Sequence, residues 1–253
     1  MNASPATKTR LRLDQLLVEH GHYDTRSRAR DAIARGAVSV GGRVISKPGA
    51  PVSPDARIAI TDPAKAYVSR AALKLIAGLD DFGFDPTDRD CLDIGASTGG
   101  FTQVLLVRGA RHVTAIDVGH DQMDARIAAD SRVSNREGLN ARDLSANDIG
   151  ERAITAVVSD VSFISLKLAL PPALELAGSG AFAVLLVKPQ FEAGREAIGK
   201  GGLLKDPTRG PEIADDLAAW LGDQPGWRVK GLVPSPIEGG DGNQEFLLGG
   251  VKA

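Results

Sequence analysis

The segment Cys91-Leu-Asp-Ile-Gly-Ala-Ser-Thr-Gly-Gly-Phe-Thr constrains the fold more than any other stretch of this chain. A short apolar strand ends in an acid, enters a glycine-rich turn and continues into Val104-Leu-Leu-Val107, which has helical character. Glycine is wanted in such a turn because a ligand must touch backbone that a β-carbon would block. About twenty residues on, as in nucleoside-binding folds, Val113-Thr-Ala-Ile-Asp117 reads as a second strand. Its terminal acid is placed to accept hydrogen bonds from ribose hydroxyls. Further segments alternate: Ala156 to Ser159 as strand, Ser165 to Leu176 as helix, Phe182 to Val187 as strand, and Glu212 to Leu221 as helix. Trp227 to Val233 and Glu245 to Leu248 read as late strands. This alternation predicts an α/β domain with a mainly parallel sheet covered on both faces.

Two better-known glycine loops do not fit. Gly95, Gly99 and Gly100 miss the dinucleotide spacing, and Gly194 to Gly201 has P-loop spacing but Gly201 where Ser or Thr should bind the metal. The latter reads as a mobile loop. A single cysteine, Cys91, excludes an intrachain disulfide or a cysteine-built metal site and fits a reducing compartment. The histidines form two close pairs, His20 with His22 and His112 with His120, without a third ligand at a convincing spacing, so no metal is expected. Met1 to Thr9 is polar, without the apolar core of a signal peptide. The longest aliphatic run, Ala181 to Val187, is far short of the ~20 residues that span a bilayer. The expectation is a soluble cytoplasmic protein with no membrane partner.

The net charge of −2 over 253 residues hides an asymmetry. Residues 1–74 hold 13 Lys/Arg against 6 Asp/Glu, a balance of +7, and the remainder holds 17 against 26, a balance of −9. A basic head on an acidic body suggests a nucleic-acid partner. In the head, Leu13, Leu16 and Leu17 form the apolar stripe of a short helix beginning near Arg10. Asp24 or Thr25 can cap a second helix, Arg26 to Arg35, with Ala29, Ala32 and Ile33 as its core side. Val38 to Ile45 then reads as a hairpin turning at Gly41-Gly42. Arg26, Arg28, Arg30 and Arg35 meet only Asp31 nearby in sequence. They read either as a solvated face or as unpaired forks for phosphate.

Three groups of residues carry family resemblances. Arg12-Leu-Asp-Gln-Leu-Leu, Ser27-Arg-Ala-Arg-Asp-Ala-Ile and Gly36-Ala-Val-Ser-Val-Gly-Gly resemble the S4 RNA-binding domain, with Gly41 where asparagine is usual. That likeness implies an RNA-facing surface including Arg12, Arg26, Arg28, Arg30, Arg35 and Arg43, joined by Arg70, Arg195 and Lys200 of the body. Asp93-x-Gly95-x-x-x-Gly99-Gly100 resembles the first motif of class I S-adenosylmethionine-dependent methyltransferases. It implies a Rossmann-like domain with S-adenosylmethionine held by Asp93, Gly95, Ser97, Thr98, Gly99, Gly100, Phe101, Asp117 and Asp160. Strand-end charges supply the third resemblance. Asp160 follows Ala156 to Ser159 and Lys188 follows Val184 to Val187, positions where a charge is costly unless paired. Ligands of open α/β sheets sit there, and a structural salt bridge is the alternative. With Lys74 and Glu245 they match the Lys-Asp-Lys-Glu tetrad of FtsJ-like ribose 2′-O-methyltransferases.

Most of the chain is thus similar to the TlyA family, haemolysin-like rRNA methyltransferases. The resemblance implies an S4-like module over 8–62, a linker over 63–68 and a methyltransferase domain over 69–253. It implies rRNA in ribosomal subunits as partner, with a cytidine ribose as target. On this reading Lys188 is the general base, since burial and a neighbouring Lys74 ammonium would disfavour a second charge. Asp160 would orient it, Glu245 would hold Lys74 or the ribose, and Lys74 could position the 2′-oxygen. Gly194 to Gly210 reads as surface irregularity or as an RNA clamp ordering on binding; Phe163 and Phe191 could stack a flipped base, with a buried core place the expectation for each. The rival classes are a non-catalytic RNA- or ribosome-binding protein, to which an intact tetrad would be superfluous, and a membrane-lytic haemolysin, which has no apolar segment to support it.

Overall fold

A computed structural model describes residues 10–240 and 242–253, so the expectations for Met1 to Thr9, and Lys8 at the start of the expected module, lie outside the described residues. The chain forms two compact units, residues 1–63 and 64–253.

The first unit opens with β1 (Leu11–Arg12), α1 (Leu13–Glu19) and α2 (Arg26–Ala34). The first helix starts at Leu13 rather than near Arg10, because Leu11 and Arg12 pair antiparallel with β4 (Pro51–Val52). Thr25 caps α2, its hydroxyl accepting from Arg28 N. Next come β2 (Val38–Val40) and β3 (Arg43–Val44), with β5 (Ile58–Ile60) on the other edge of β2. Val40 pairs with Arg43 across a two-residue turn whose Gly41 and Gly42 both have positive φ (57° and 80°), the conformation that glycine adopts without strain. Leu13, Leu16, Leu17, Ala29, Ala32, Ile33 and Val38 form one core. This is a small α+β unit.

The second unit is α/β. Its elements are α3 (Ala72–Phe82), β6 (Asp90–Ile94), α4 (Gly100–Val107), β7 (His112–Asp117), α5 (Ala125–Ala128), β8 (Val133–Glu137), α6 (Ala146–Ile149) and β9 (Ile154–Ser159). Then follow α7 (Leu166–Ala169), α8 (Pro171–Leu176), β10 (Ala177–Val187), α9 (Pro189–Glu192), α10 (Gly210–Gly222), β11 (Trp227–Pro234) and β12 (Phe246–Lys252). Seven strands lie in the order β11-β12-β10-β9-β6-β7-β8. The five from β10 to β8 are parallel, whereas β12 runs antiparallel to both β10 and β11. The helix expected over Ser165 to Leu176 is broken into α7 and α8, because Pro171 and Pro172 supply no N–H to continue the first.

Continuous aliphatic strands are explained by two-sided burial. Along β10, Phe182, Val184 and Leu186 join α3 and α4 in one core, while Ala183, Leu185 and Val187 join α7, α8 and α10 in the other. Cys91 is buried with the first set, and burial pushes its thiol up to about 12, far from a reactive thiolate. The segment expected as a linker holds a 3₁₀ turn, Pro63–Ala66. The Gln103 side chain accepts from Val68 N and donates to Ala66 O, tying this segment to α4. Among the described residues no helix is long and apolar enough to cross a membrane, and no three His, Cys, Asp or Glu side chains gather as metal ligands.

Candidate active site

The carboxyl ends of the parallel strands build the site. Residues just past β6, β9 and β10 line a cleft of about 430 Å³ including its open mouth. Of the residues expected to hold a cofactor, Gly95, Ser97, Thr98, Gly100, Phe101 and Asp160 line it, whereas Asp93, Gly99 and Asp117 do not. The glycines answer protein crowding as much as ligand approach. A β-carbon on Gly95 (φ 83°) would meet Val161 backbone at 2.9 Å, and one on Gly100 would meet Ser69 Cβ at 2.9 Å. Asp117 Oδ2 accepts from Ser97 N at 2.8 Å and Oδ1 from Gly119 N at 2.7 Å. A carboxylate has about four acceptor directions, so room for a diol remains.

Asp93 corrects the sequence reading. It is fully buried, and Thr102 Oγ1 donates to its Oδ2 at 2.7 Å, so it braces the start of α4 from behind the cleft. Its Oδ1 has no hydrogen-bond partner. Desolvation, with the negative charges of Asp160 and Asp117 adding, raises its carboxyl to about 7. A folded-state value above the unfolded one means that the folded chain binds the extra proton, so this group's contribution to stability falls as pH rises from about 4 to about 7. Asp93→Asn is expected to flatten that part of the pH–stability curve, read as urea midpoints between those limits.

Lys188 is buried at the end of β10, and Asp160 sits beside it because Leu185 of β10 pairs with Ser159 of β9. Lys188 Nζ lies 2.6 Å from Asp160 Oδ1, an ion pair too far out of line to be a hydrogen bond. The ammonium donates to Ser162 Oγ at 2.7 Å and Asp160 O at 3.3 Å. Ser162 was missed from sequence; the available signal was a serine two residues past a strand-end acid. Lys74 of α3 and Glu245, just before β12, form a second, deeply buried ion pair, 5% and 3% exposed. Neither lines the cleft. The expected repulsion of Lys188 by Lys74 is therefore offset, since Glu245 balances the Lys74 charge and Asp160 that of Lys188.

Two loops are locked together beside Lys188. Glu192 Oε2 accepts from Ser165 Oγ at 2.5 Å and Oε1 from Leu166 N at 2.8 Å, joining α9 to the amino end of α7. Between Ser162 and Ser165 lies Phe163, which is 90% exposed with φ 66°. Its ring centroid is 5.1 Å from that of Phe191. The core placement expected for Phe163 is therefore wrong, and Phe191 is only partly buried. Glu192→Ala is expected to lower the unfolding free energy by about 1–2 kcal/mol, the usual worth of such a cap, and to raise KM for RNA more than for the methyl donor. Residues 194–210 are also more ordered than a free loop. Ile198 pairs with Leu204, and Asn243 bonds Leu204 N and Gly202 O, while Arg195 and Lys200 stay exposed.

The arginines of the first unit are less solitary than their sequence spacing implies. Arg12 and Arg26 converge on the buried Asp14, whose carboxyl is held down to about 2 chiefly by the Arg12 hydrogen bonds. Arg35 bridges Asp31 and Asp62. Arg30 and Arg43 are exposed, and Arg28 is partly buried, as is Arg70 in the second unit.

A sheet of this order, with a glycine loop after its central strand, defines a Rossmann-like methyltransferase fold. Residues 67–252 match the family described as FtsJ-like methyltransferase, and residues 11–58 match the S4 domain. The 16S/23S rRNA (cytidine-2′-O)-methyltransferase TlyA of Mycobacterium tuberculosis is 42% identical over 94% of this chain and 89% of its own length. Hemolysin A of Brachyspira hyodysenteriae is 37% identical over 94% of this chain and 98% of its own length. The solved structure of a candidate hemolysin from Streptococcus thermophilus has a TM-score of 0.74 at 38% identity, covering 98% of this chain and 90% of that one. The chain belongs to the TlyA family of FtsJ-like methyltransferases that carry an S4 domain, and it is an enzyme of that class.

Proposed function

We propose that this protein transfers a methyl group from S-adenosylmethionine to the 2′-oxygen of a cytidine ribose in rRNA. The observation that carries the reading is a buried lysine, held by a carboxylate and a hydroxyl, opening onto a cleft beside the glycine loop. Relatives named as rRNA cytidine-2′-O-methyltransferases, in Mycobacterium tuberculosis and Campylobacter jejuni, support the substrate class.

The cleft residues suit the donor chemically. Exposed Ser97 and Thr98 present backbone at the mouth, and Asp160 offers a negative charge close to where a sulfonium would lie. S-adenosylmethionine supplies an electrophilic methyl on that sulfonium. The chain's own task is to make a ribose hydroxyl nucleophilic. Lys188 takes the 2′-hydroxyl proton, and Asp160 holds the resulting ammonium. Lys74, fixed by Glu245, supports this edge of the sheet from inside. The exposed Phe163 ring, resting on Phe191, offers a face on which an extruded base can stack. Arg30 and Arg43 give the S4 unit phosphate contacts. An rRNA substrate sets the reaction in the cytoplasm.

The test is methyl transfer from labelled S-adenosylmethionine to separated ribosomal subunits, with mapping of the modified nucleotide. Label on a cytidine 2′-oxygen is the expected result. Label on a base, or none on either rRNA, would overturn the reading and favour a ribosome-binding protein.

A further inference from the structure

We propose that Ser162 is the hydroxyl through which Lys188 sheds its proton, a positioning residue for turnover at this cleft. The inference rests on Lys188 acting as the general base. Three oxygens crowd its Nζ: Asp160 Oδ1 at 2.6 Å, Ser162 Oγ at 2.7 Å and Asp160 O at 3.3 Å. An ammonium has three protons: it donates to Ser162 Oγ and Asp160 O, and its charge balances Asp160 Oδ1, which lies out of line for a hydrogen bond. A neutral amine has two, and its lone pair must then face something.

The three neighbours differ in kind. A carbonyl and an ionised carboxylate only accept, so a lone pair turned on either is repelled. A serine hydroxyl accepts or donates by rotating about one bond. Ser162 alone among the three can therefore satisfy both forms of Lys188. It is exposed and lines the cleft, so its far side reaches water, while Asp160 Oδ1 is shut off from solvent. Lys74 cannot serve as an outlet, being sealed in its pair with Glu245. The loop is held to this task. Phe163 follows in a left-handed conformation, and Glu192 fastens Ser165 and Leu166.

The proton path balances. In the chemical step the ribose O–H bond breaks as an Nζ–H bond forms, and the oxygen keeps the electron pair that bonds the methyl carbon. Afterwards the ammonium gives a proton to Ser162 Oγ while the serine's own proton passes to water, restoring the hydroxyl and leaving Lys188 neutral for the next turnover.

Ser162→Ala, Ser162→Thr and Lys188→Ala in the full-length protein separate the possibilities, assayed with S-adenosylmethionine and ribosomal subunits. For Ser162→Ala, kcat should fall roughly 10-fold, less than the ~10²–10⁴-fold that a directly positioned base contributes, because the lysine itself remains. KM for RNA and binding of S-adenosylmethionine should stay within about twofold, and the thermal midpoint should not move. Ser162→Thr, which keeps the hydroxyl, should recover most of the rate. Added imidazole should accelerate Ser162→Ala and leave the unmodified enzyme unchanged, because a small base can replace a missing proton outlet but not a missing packing contact. An unchanged kcat in Ser162→Ala, or a loss that neither threonine nor imidazole repairs, overturns the inference. If Lys188→Ala is inactive in that case, the general-base reading survives alone; if Lys188→Ala turns over normally, that reading has failed as well.

Discussion

Lys188→Ala is expected to abolish methyl transfer, with a loss of at least 10²-fold, the lower side of what a positioned base contributes. Binding of S-adenosylmethionine should persist within a few-fold, because the glycine loop and Asp117 do not depend on the lysine. Truncation leaves Asp160 Oδ1 buried without its counter-charge, so a modest fall in thermal midpoint should accompany the loss of rate. Lys188→Met keeps the volume and removes the amine, which separates chemistry from packing. Calorimetric titration with the methyl donor and label incorporation into rRNA are the two measurements. Turnover within tenfold of the unmodified protein in both variants would remove Lys188 from the mechanism.

The second large effect belongs to the Lys74–Glu245 pair. Glu245→Ala leaves an ammonium stranded between α3 and β12, and breaking a buried pair in this way costs about 3–5 kcal/mol. At about 2–4 °C per kcal/mol for a unit of this size, the midpoint should fall on the order of 10 °C. The double change Lys74→Met with Glu245→Leu removes both charges and should restore most of the stability, since apolar replacement of a buried pair is often neutral. Thermal melts and methyl-transfer rates on the same samples then divide the pair's two uses. A double variant that is stable and inactive assigns the pair to the reaction; one that is stable and active assigns it to folding alone. A single variant that melts normally would mean the pair is less buried than its geometry implies.

Much of the fold was legible because its signals are local. The capping Thr25 and the Gly41-Gly42 turn stand next to the elements they define, and the aliphatic strands of the sheet are marked by uninterrupted burial on both faces. The Pro171-Pro172 break was legible too, but the apolar pattern across it looked continuous and hid the chain's loss of two N–H donors. The site was harder. Asp93 and Asp117 stand at or next to the carboxyl end of a strand, yet one is sealed behind α4 and the other meets the loop backbone. The two strands run parallel, so direction does not separate the acids. Asp93 stands one residue inside β6 and turns toward Thr102 of α4, whereas Asp117 is the last residue of β7, and no local pattern reports which face packs against a helix. Phe163 was misplaced because aromatic residues are usually buried; its exposure comes from a left-handed turn held by Glu192, 29 positions away in the chain.

By itself the sequence determined the glycine loop after an apolar strand, the second strand-end acid, the alternation of an α/β unit and a +7 head before a −9 body. These follow from composition and short-range spacing. Only the tertiary structure decided what the charges do. Because β12 runs antiparallel to β10, its amino end reaches the carboxyl edge of the sheet, where Phe246 pairs with Val187. That reversal delivers Glu245 to the same edge as Lys188 and close enough to α3 to pair with Lys74. The basic head was also redistributed, since Asp14 claims Arg12 and Arg26, and Asp31 and Asp62 claim Arg35. Pairing depends on distances of a few ångströms between residues far apart in the chain, and those distances exist only once the strands have packed.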